Sequence, residues 1–162
     1  MSMTDAADAR LDPTDTLHLR AAIALSVQAR DAGNMPYGAL LVAADGHVLA
    51  VGRKTQVTER DCTGHAETNL MREATRAHDA ATLAGSTVYA SGEPCAMCAG
   101  AIYWGGIRRV VYALSIASMR ELGGPDSDEL LLPCREVLAR GLRPIDVTGP
   151  ALQEEARRVF GL

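Results

Sequence analysis

The sequence lacks an excess of positive charge, a long apolar run and a dense cysteine pattern, and each absence excludes a class of protein. Its 162 residues include 16 lysines and arginines against 20 aspartates and glutamates, which gives a formal net charge of −4. This balance argues against binding of nucleic acid through a basic surface. No apolar segment reaches the length of a membrane span, and Met1–Asp12 has neither the positive nor the apolar region of a signal peptide. We therefore expect a cytoplasmic protein that binds neither nucleic acid nor a membrane.

Four cysteines in a chain of this length do not make a disulfide scaffold, and a reduced setting is the simpler interpretation. Two of them, Cys62 and Cys134, are interpreted as small core or loop residues. Because 48% of the residues are hydrophobic, the chain can bury a sizeable core. We therefore predict a single domain over residues 1–162, in which residues 1–10 form a flexible tail.

The predicted secondary structure begins with a helix and a hairpin and then alternates between strands and helices. Asp12-Pro13 and helical spacing of apolar residues predict a helix over 13–32. Asp45-Gly46 between two apolar runs predicts an antiparallel hairpin of strands over 37–43 and 47–52. Further helices are predicted over 65–78, 95–104, 128–140 and 151–160, strands over 87–90, 109–113 and 143–148, and a loop over 115–126. Pro133 would kink or split the helix over 128–140.

This order of elements predicts an α/β fold of three layers, α/β/α, around a five-stranded mixed sheet. The first two strands are the antiparallel hairpin. A helix connects the fourth and fifth strands as a crossover, so the last two strands should be parallel. The helix over 95–104 is almost wholly apolar and must be buried on most sides. The sheet and a second subunit would cover it.

Two short motifs, His65-Ala66-Glu67 and Pro94-Cys95-Ala96-Met97-Cys98, place metal-binding side chains at predicted helix starts. Cysteines at positions i and i+3 project from one face of a helix, so Cys95 and Cys98 can bind one ion. His65 would supply a third ligand from a neighbouring helix. One nitrogen and two sulfur ligands suit Zn²⁺ and leave a fourth tetrahedral position for water, which is typical of a catalytic zinc site.

Glu67 lies two residues after the predicted ligand His65 and can move protons without binding the metal. Replacement of a ring amine by a carbonyl requires a nucleophilic water and protonation of both the ring and the departing ammonia. Zinc lowers the pKa of water towards ~7, and helix N-termini favour the thiolates and the carboxylate at these positions. His-x-Glu followed by Pro-Cys-x-x-Cys is similar to the known signature of zinc deaminases, and this match implies a zinc-dependent hydrolytic deaminase in which Glu67 is the proton shuttle.

Each motif has a simpler interpretation when it is taken alone. A Cys-x-x-Cys before a helix is also typical of a redox pair, and His-Ala-Glu by itself carries no information. Trp104, the only tryptophan, stands at the end of the predicted metal-binding helix. It is a candidate to bind the substrate by stacking, and packing in the core or at an interface is the alternative.

Three stretches of the sequence show a resemblance: Pro36-Tyr37-Gly38-Ala39, Asp61 to Glu67, and Glu93 to Trp104. They resemble the cytidine deaminase-like superfamily, and within it the bacterial guanine deaminases, the fungal-type cytosine deaminases and the tRNA adenosine deaminases. The resemblance runs from the first predicted helix to the fourth predicted strand. It implies the same zinc ligands and the same shuttle residue as the motifs do.

The resemblance also implies roles for further residues. The backbone N–H of Ala66 would bind a ring carbonyl, the Glu93 carbonyl would face the leaving amine, and Tyr37 would lie against the base. Enzymes of this family are usually homodimers, and the apolar metal-binding helix would suit that interface.

Lys54 departs from the family pattern, because the family usually has an asparagine eleven residues before the zinc-binding histidine. An amide both donates and accepts hydrogen bonds, whereas an ammonium only donates. Lys54 therefore either binds a carbonyl-rich or partly anionic ring, or points away while another side chain replaces it. Cys62 also stands where a proline is common.

The leading interpretation is hydrolytic deamination of a free aminated base such as guanine, isocytosine, cytosine or a related triazine. Editing of adenosine in tRNA is the alternative, and it needs a basic groove that an acidic chain does not obviously provide. A catalytically silent subunit would be expected to lose the shuttle glutamate, and Glu67 is present. A deaminase domain acting on a riboflavin precursor usually comes with a second, reductase domain, for which this chain is too short.

Overall fold

The computed structural model describes residues 7–161, and within them it contains five strands and seven helices. The strands are β1 (Gly38–Val42), β2 (Val48–Arg53), β3 (Thr87–Gly92), β4 (Arg109–Leu114) and β5 (Asp146–Thr148). The helices are α1 (Pro13–Asp31), α2 (Ala66–Ala77), α3 (Ala80–Ala84), α4 (Ala96–Trp104), α5 (Ile116–Gly123), α6 (Cys134–Leu138) and α7 (Gln153–Arg158). The predicted α/β fold is confirmed.

The five strands form one mixed sheet in the order β2-β1-β3-β4-β5. The β1–β2 hairpin is antiparallel, with Leu40 opposite Val51, and β1 is also antiparallel to β3. β3, β4 and β5 are parallel, with Tyr89 opposite Val111. The predicted hairpin and the predicted parallel pair at the end of the chain are both confirmed. β3 and β4 are parallel for the same reason as β4 and β5, since a helix connects each pair.

Helices cover both faces of the sheet, so its central strands are buried on both sides. Leu41 and Val88 face a core that also contains side chains of α2, α4 and α6. Leu40 and Tyr89 face the opposite core, against side chains of α1, α5 and α7. Neighbouring residues of a strand point to opposite faces, which explains why these strands are apolar at consecutive positions.

α1 begins where the sequence predicts and is tied to the middle of the sheet by one buried carboxylate. The Asp12 side chain accepts the backbone N–H of Asp15 and caps the helix, and Pro13 follows at its first position. Both Asp15 oxygens accept from the Arg109 guanidinium, at 2.8 and 2.6 Å, and the Tyr89 hydroxyl donates to one of them at 2.7 Å. The hydrogen bond from Arg109 holds the pKa of Asp15 below its usual range.

The C-terminal part differs from the prediction. The predicted loop over 115–126 contains α5, whose cap is the Ser115 hydroxyl, which accepts the Ser118 N–H. The predicted helix over 128–140 forms only at Cys134–Leu138, because Pro133 restricts the residue before it and starts a helix rather than continuing one. The predicted strand over 143–148 is limited to Asp146–Thr148, and α3 was not predicted.

Residues 1–6 of the predicted tail lie outside the described part of the chain. Further along the predicted tail, the Ala9 N–H donates to the Pro150 carbonyl at 2.6 Å, and Ala9 packs against the core. None of the helices within residues 7–161 combines the length and the hydropathy that a bilayer span requires.

Candidate active site

A cleft opens at the end of the sheet where strand β3 finishes and strand β1 begins. Its walls come from the ends of these strands, from the first residues of α2 and α4, and from the chain after residue 115. The lining residues are Tyr37, Lys54, His65, Ala66, Glu67, Gly92, Glu93, Cys95, Met119 and Glu129. The fold therefore brings together residues that are far apart in the sequence, and most of the predicted site residues are among them.

The three predicted zinc ligands form a compact triangle at this cleft. The His65 Nδ1 atom lies 3.5 Å from the Cys95 Sγ and 3.6 Å from the Cys98 Sγ, and the two sulfur atoms lie 3.6 Å apart. His65 and Cys95 are the residues that precede the first turns of α2 and α4, and both have extended backbones there. Each ligand-bearing motif is thus fixed by the start of a helix that packs on the core through one face.

The spacing of the triangle fits a tetrahedral zinc ion. With zinc–sulfur bonds of about 2.3 Å and zinc–nitrogen bonds of about 2.0–2.1 Å, tetrahedral angles place neighbouring ligand atoms about 3.5–3.8 Å apart. The observed edges of 3.5–3.6 Å match these values. His65, Cys95 and Cys98 are also the group of residues whose ligand atoms approach closely enough to hold a metal ion in the described chain. One nitrogen and two sulfur donors are a set that zinc prefers.

The electrostatics of the two thiols are suited to metal binding. The hydrogen bond between them lowers the pKa of Cys95 to about 4 and raises the pKa of Cys98, so the pair holds a thiolate at neutral pH. The Thr68 hydroxyl lies 3.3 Å from the Cys98 sulfur, within hydrogen-bond distance. A thiolate is the form of cysteine that binds metals.

Glu67 lies in the first turn of α2, beside the triangle, and its side chain is buried. Burial raises the pKa of its carboxyl, while its own backbone N–H and the Cys98 thiol oppose this rise in pKa. A carboxyl group in this position can exchange protons with a molecule bound in the cleft.

Close packing fixes the start of α2 against the sheet. A Cβ atom added at Gly52 in β2 would lie 2.0 Å from the Ala66 carbonyl oxygen, so only glycine allows this approach. Ala66 is fully buried, and its N–H at the first position of the helix has no acceptor within the helix. The depth at which α2 places His65 and Glu67 therefore depends on Gly52.

Tyr37 and Lys54 form one wall of the cleft. The Lys54 Nζ lies 5.0 Å from the centroid of the Tyr37 ring, and the backbone N–H of Lys54 donates to the backbone carbonyl of Tyr37. No carboxylate within residues 7–161 forms an ion pair with Lys54. Burial, followed by the charges of Glu129 and Glu67, raises the pKa of Tyr37, so it remains a neutral phenol. The wall thus offers an aromatic face and a cationic donor.

Glu93 lines the cleft, and its side chain has a clear structural task. The carboxylate is buried and accepts the backbone N–H groups of Ile116 and Cys134, each at 2.9 Å. The prediction for Glu93 concerned its main-chain carbonyl. Nothing in the local sequence indicates the contacts of the side chain, because both partners are distant in the chain.

Three lining residues were not predicted: Gly92, which ends β3, and Met119 and Glu129, which come later in the chain. Met119 lies in α5, and Glu129 lies in the coil between α5 and α6. Neither belongs to a motif, and both come from the part of the chain whose predicted structure was wrong. No signal in the sequence alone would have found them.

Trp104 lies away from the cleft of its own chain. Its side chain is 86% exposed at the end of α4, beside a surface groove that includes Met71 and Ala101. It is the one predicted substrate-binding residue that is not among those lining the cleft.

Comparison with known proteins supports the interpretation of the site. Residues 13–114 match the model of the family described as "Cytidine and deoxycytidylate deaminase zinc-binding region". A probable cytosine deaminase of Schizosaccharomyces pombe is 37% identical over 148 residues, which is 90% of each chain. Guanine deaminase of Bacillus subtilis is 38% identical over 110 residues, 67% of this chain and 70% of the relative.

Two further comparisons bear on the substrate. A tRNA-specific adenosine deaminase of Bacillus subtilis is 36% identical over 98 residues, 60% of each chain. The structure of NE0047 in complex with 2,6-diaminopurine has a TM-score of 0.75 and 25% identity, and covers 95% of this chain and 83% of that one. The matched family residues span the metal-binding triangle and Glu67, and the prediction of zinc as the cofactor is confirmed. The chain belongs to the zinc-binding cytidine and deoxycytidylate deaminase family, and it is a hydrolytic deaminase.

Proposed function

We propose that the enzyme deaminates a free aminated nucleobase or a similar heteroaromatic ring, such as guanine, isocytosine, cytosine or a related triazine, and releases ammonia. The observation that supports this most directly is the position of the buried Glu67 carboxyl in the same cleft as the triangle of His65, Cys95 and Cys98. Zinc bound by these three residues supplies the Lewis acidity that makes water nucleophilic at neutral pH.

Glu67 is the residue that moves protons. It accepts a proton from the attacking water as the water oxygen bonds to the ring carbon, and it passes that proton to a ring nitrogen. Glu67 then transfers the proton of the new hydroxyl group to the exocyclic amine, the carbon–nitrogen bond breaks, and ammonia leaves as that hydroxyl oxygen becomes the ring carbonyl. One water molecule is consumed for each ammonia released.

The remaining lining residues would orient the base. The unsatisfied N–H of Ala66 is a donor for a ring carbonyl, and the Glu93 carbonyl is an acceptor for the amine. The Tyr37 ring would lie against the flat face of the base. Lys54 would donate to a carbonyl oxygen or to a deprotonated ring nitrogen, because an ammonium has no acceptor.

The charge of the cleft favours a free base over tRNA. Glu67, Glu93 and Glu129 line the cleft with Lys54 as the one lysine or arginine among its lining residues, and the chain as a whole has a net charge of −4. A polyanion needs neutralising lysines and arginines along its path. NE0047, which resembles this chain, is in complex with a free aminated purine. The similarity to a tRNA-specific adenosine deaminase keeps tRNA editing as the second candidate.

The test is ammonia release by the zinc-loaded enzyme from guanine, isocytosine, cytosine, their nucleosides and a tRNA with adenosine in its anticodon loop. We expect turnover of at least one free base and none of the tRNA. Turnover of the tRNA alone would contradict the proposal and establish editing.

We also propose that the enzyme is a cytoplasmic homodimer that associates through α4. Of this apolar helix only Cys98, Ala99 and Ile102 are buried, and Trp104 projects from its end. An apolar helix that one chain covers incompletely is stabilised by a second surface. Sedimentation of the wild type and of Trp104→Glu tests this, and we expect the substitution to weaken the dimer.

A further inference from the structure

One buried carboxylate connects the metal-binding turn to both ends of a distant segment. The Oε2 atom of Glu93 accepts the N–H of Ile116 and the Oε1 atom accepts the N–H of Cys134. These two donors are the first residues of α5 and α6. We call the chain between them the 116–134 segment. Glu93 itself stands two residues before Cys95, and only 6% of its surface is exposed.

The middle of the 116–134 segment has little else to fix it. No residue from Gly123 to Pro133 is buried. Leu130, Leu131 and Leu132 are exposed by 63%, 45% and 36% of their surface. Glu129 nevertheless lines the cleft from this stretch. Burial does not place Glu129. Within the segment the Arg120 guanidinium donates to the Ser127 carbonyl, and the two anchored ends set where this coil lies against the cleft.

We propose that Glu93 is a positioning residue, which acts through the 116–134 segment to place Glu129 against the bound base. This inference rests on the proposed function for its effect on turnover. A carboxylate suits the task because it has two oxygens that only accept hydrogen bonds. Glutamine would keep one acceptor and turn an amide donor towards the other N–H, which releases one end of the segment.

Hydrogen exchange of the zinc-loaded enzyme tests the anchoring directly, without any substrate. In Glu93→Gln we expect peptides from the 116–134 segment to exchange at least about tenfold faster, because a buried hydrogen bond to a charged group is lost. Peptides from α2 and α4 should exchange as in the wild type, and the zinc content should be unchanged. Glu136→Gln is the matched control, since Glu136 is exposed, lies two residues from Cys134 and makes no such contact.

Kinetics test whether the anchoring acts through Glu129. With guanine, isocytosine and cytosine as substrates, we expect Glu93→Gln to raise KM about tenfold and to change kcat less than about threefold. In the wild type, Glu129→Gln should raise KM by a similar factor. In the Glu93→Gln background it should raise KM by less than about twofold, because Glu129 is then already displaced from the base.

A second variant removes the hydrogen bond from the donor side. Ile116→Pro deletes the N–H at the first position of α5, where proline is favoured, and the preceding Ser115 has φ −69° and ψ 160°, which proline accepts. It should reproduce the faster exchange of the 116–134 segment with Glu93 intact.

The outcomes separate this inference from the proposed function. Unchanged exchange of the 116–134 segment in both variants overturns the anchoring. A full effect of Glu129→Gln in both backgrounds, or none in the wild type, overturns the action through Glu129. Absence of turnover of every free base by the wild type contradicts the proposed function, while the exchange experiment still decides whether Glu93 anchors the segment.

Discussion

The chain before residue 115 and the chain after it are stabilised in different ways. β1, β3 and β4 are buried almost along their whole length, and α1 and α2 pack on them over 19 and 12 residues. After residue 115 the helices span only 8, 5 and 6 residues and the strand 3. These short elements bury fewer residues, among them Ile116, Met119 and Cys134, and polar contacts add to that packing. Glu93 accepts the N–H groups at the starts of α5 and α6, and Arg135 donates to the Val147 and Gly149 carbonyls.

The two parts of the chain contribute different kinds of residue to the cleft. The metal ligands and Glu67 belong to the rigid part. Met119 is held by its buried side chain in α5, and Glu129 lies in the exposed coil that follows α5. Chemistry that requires fixed distances lies on elements that burial stabilises, whereas contacts that select a substrate lie on elements that can shift. Substitutions before residue 115 should therefore abolish the reaction or unfold the protein, and substitutions after it should change which ring is accepted.

The largest effect is expected for a zinc ligand of the rigid part. Cys95→Ala should lose zinc, reduce activity to background and lower the melting temperature, because bound metal contributes to folding free energy. Metal analysis and calorimetry measure these losses. Cys62→Ala is the control, since Cys62 is an exposed thiol, and it should keep both zinc and stability. Full zinc content in Cys95→Ala would place the metal site elsewhere.

Removal of the Glu67 carboxyl should reduce catalysis while leaving the structure of the same rigid part intact. Glu67→Ala should keep zinc and lower kcat by about 10²–10⁴-fold, the usual contribution of a general acid–base group. Ammonia release and metal analysis on one preparation provide both readouts. Glu73→Ala, an exposed change on the same helix, should leave kcat unaltered. Activity close to that of the wild type in Glu67→Ala would refute the assignment.

The ion pair between α1 and the sheet makes the rigid part sensitive to acid. Because Arg109 lowers the pKa of Asp15, the folded state favours the carboxylate. Its stabilisation is fully present above the unfolded pKa of about 3.9 and is lost as pH falls through the lower folded pKa. Asp15→Asn should thus lower the free energy of unfolding by about 1–3 kcal/mol at pH 7 and by less in acid. Urea titrations at several pH values measure this.

A matched control for Asp15 lies on the other side of the same arginine. Asp146 is 3.7 Å from the Arg109 Nε and its side chain is 72% exposed. Asp146→Asn should change stability by less than about 1 kcal/mol, as expected for an exposed pair. Equal losses in the two variants would show that burial of Asp15 is not what makes its pair important.

The smallest expected effect concerns selectivity at the cleft wall. Lys54→Asn should change the ratio of kcat/KM values among guanine, isocytosine and cytosine by about tenfold, the worth of one or two hydrogen bonds. The overall rate should change less. Arg53→Asn, at a neighbouring residue that does not line the cleft, should leave the ratio unchanged. An identical substrate profile in Lys54→Asn would show that Lys54 does not contact the base.

Lys54 is also the only lysine in the sequence. Reductive methylation of the protein therefore modifies this side chain and the N-terminal amine alone. Protection by a bound base would provide independent evidence that the ammonium faces the ligand.

The sequence predicts those features of the structure that depend on neighbouring residues. Asp12-Pro13, Asp45-Gly46 and the two metal motifs act within a few positions, so α1, the hairpin and the starts of α2 and α4 were predicted closely. The contacts of Glu93 link residues 23 and 41 positions apart, and no local pattern encodes them. The helix predicted over 128–140 shows the same limit. Its apolar residues before Pro133 suggest burial in a helix, whereas in the structure they are exposed.

The anchoring of the 116–134 segment has a consequence for engineering of this enzyme. Both ends of the segment bind the two oxygens of one carboxylate, so they lie side by side and the chain between them is a closed loop. The entropy of closing such a loop rises only slowly with its length, so insertions, deletions and exchange are tolerated in its unburied coil, residues 123–133, far better than in the strands or in α5. Libraries that replace this stretch as a cassette, with Glu93 and the metal-binding motifs untouched, can explore new heteroaromatic substrates without rebuilding the catalytic chemistry.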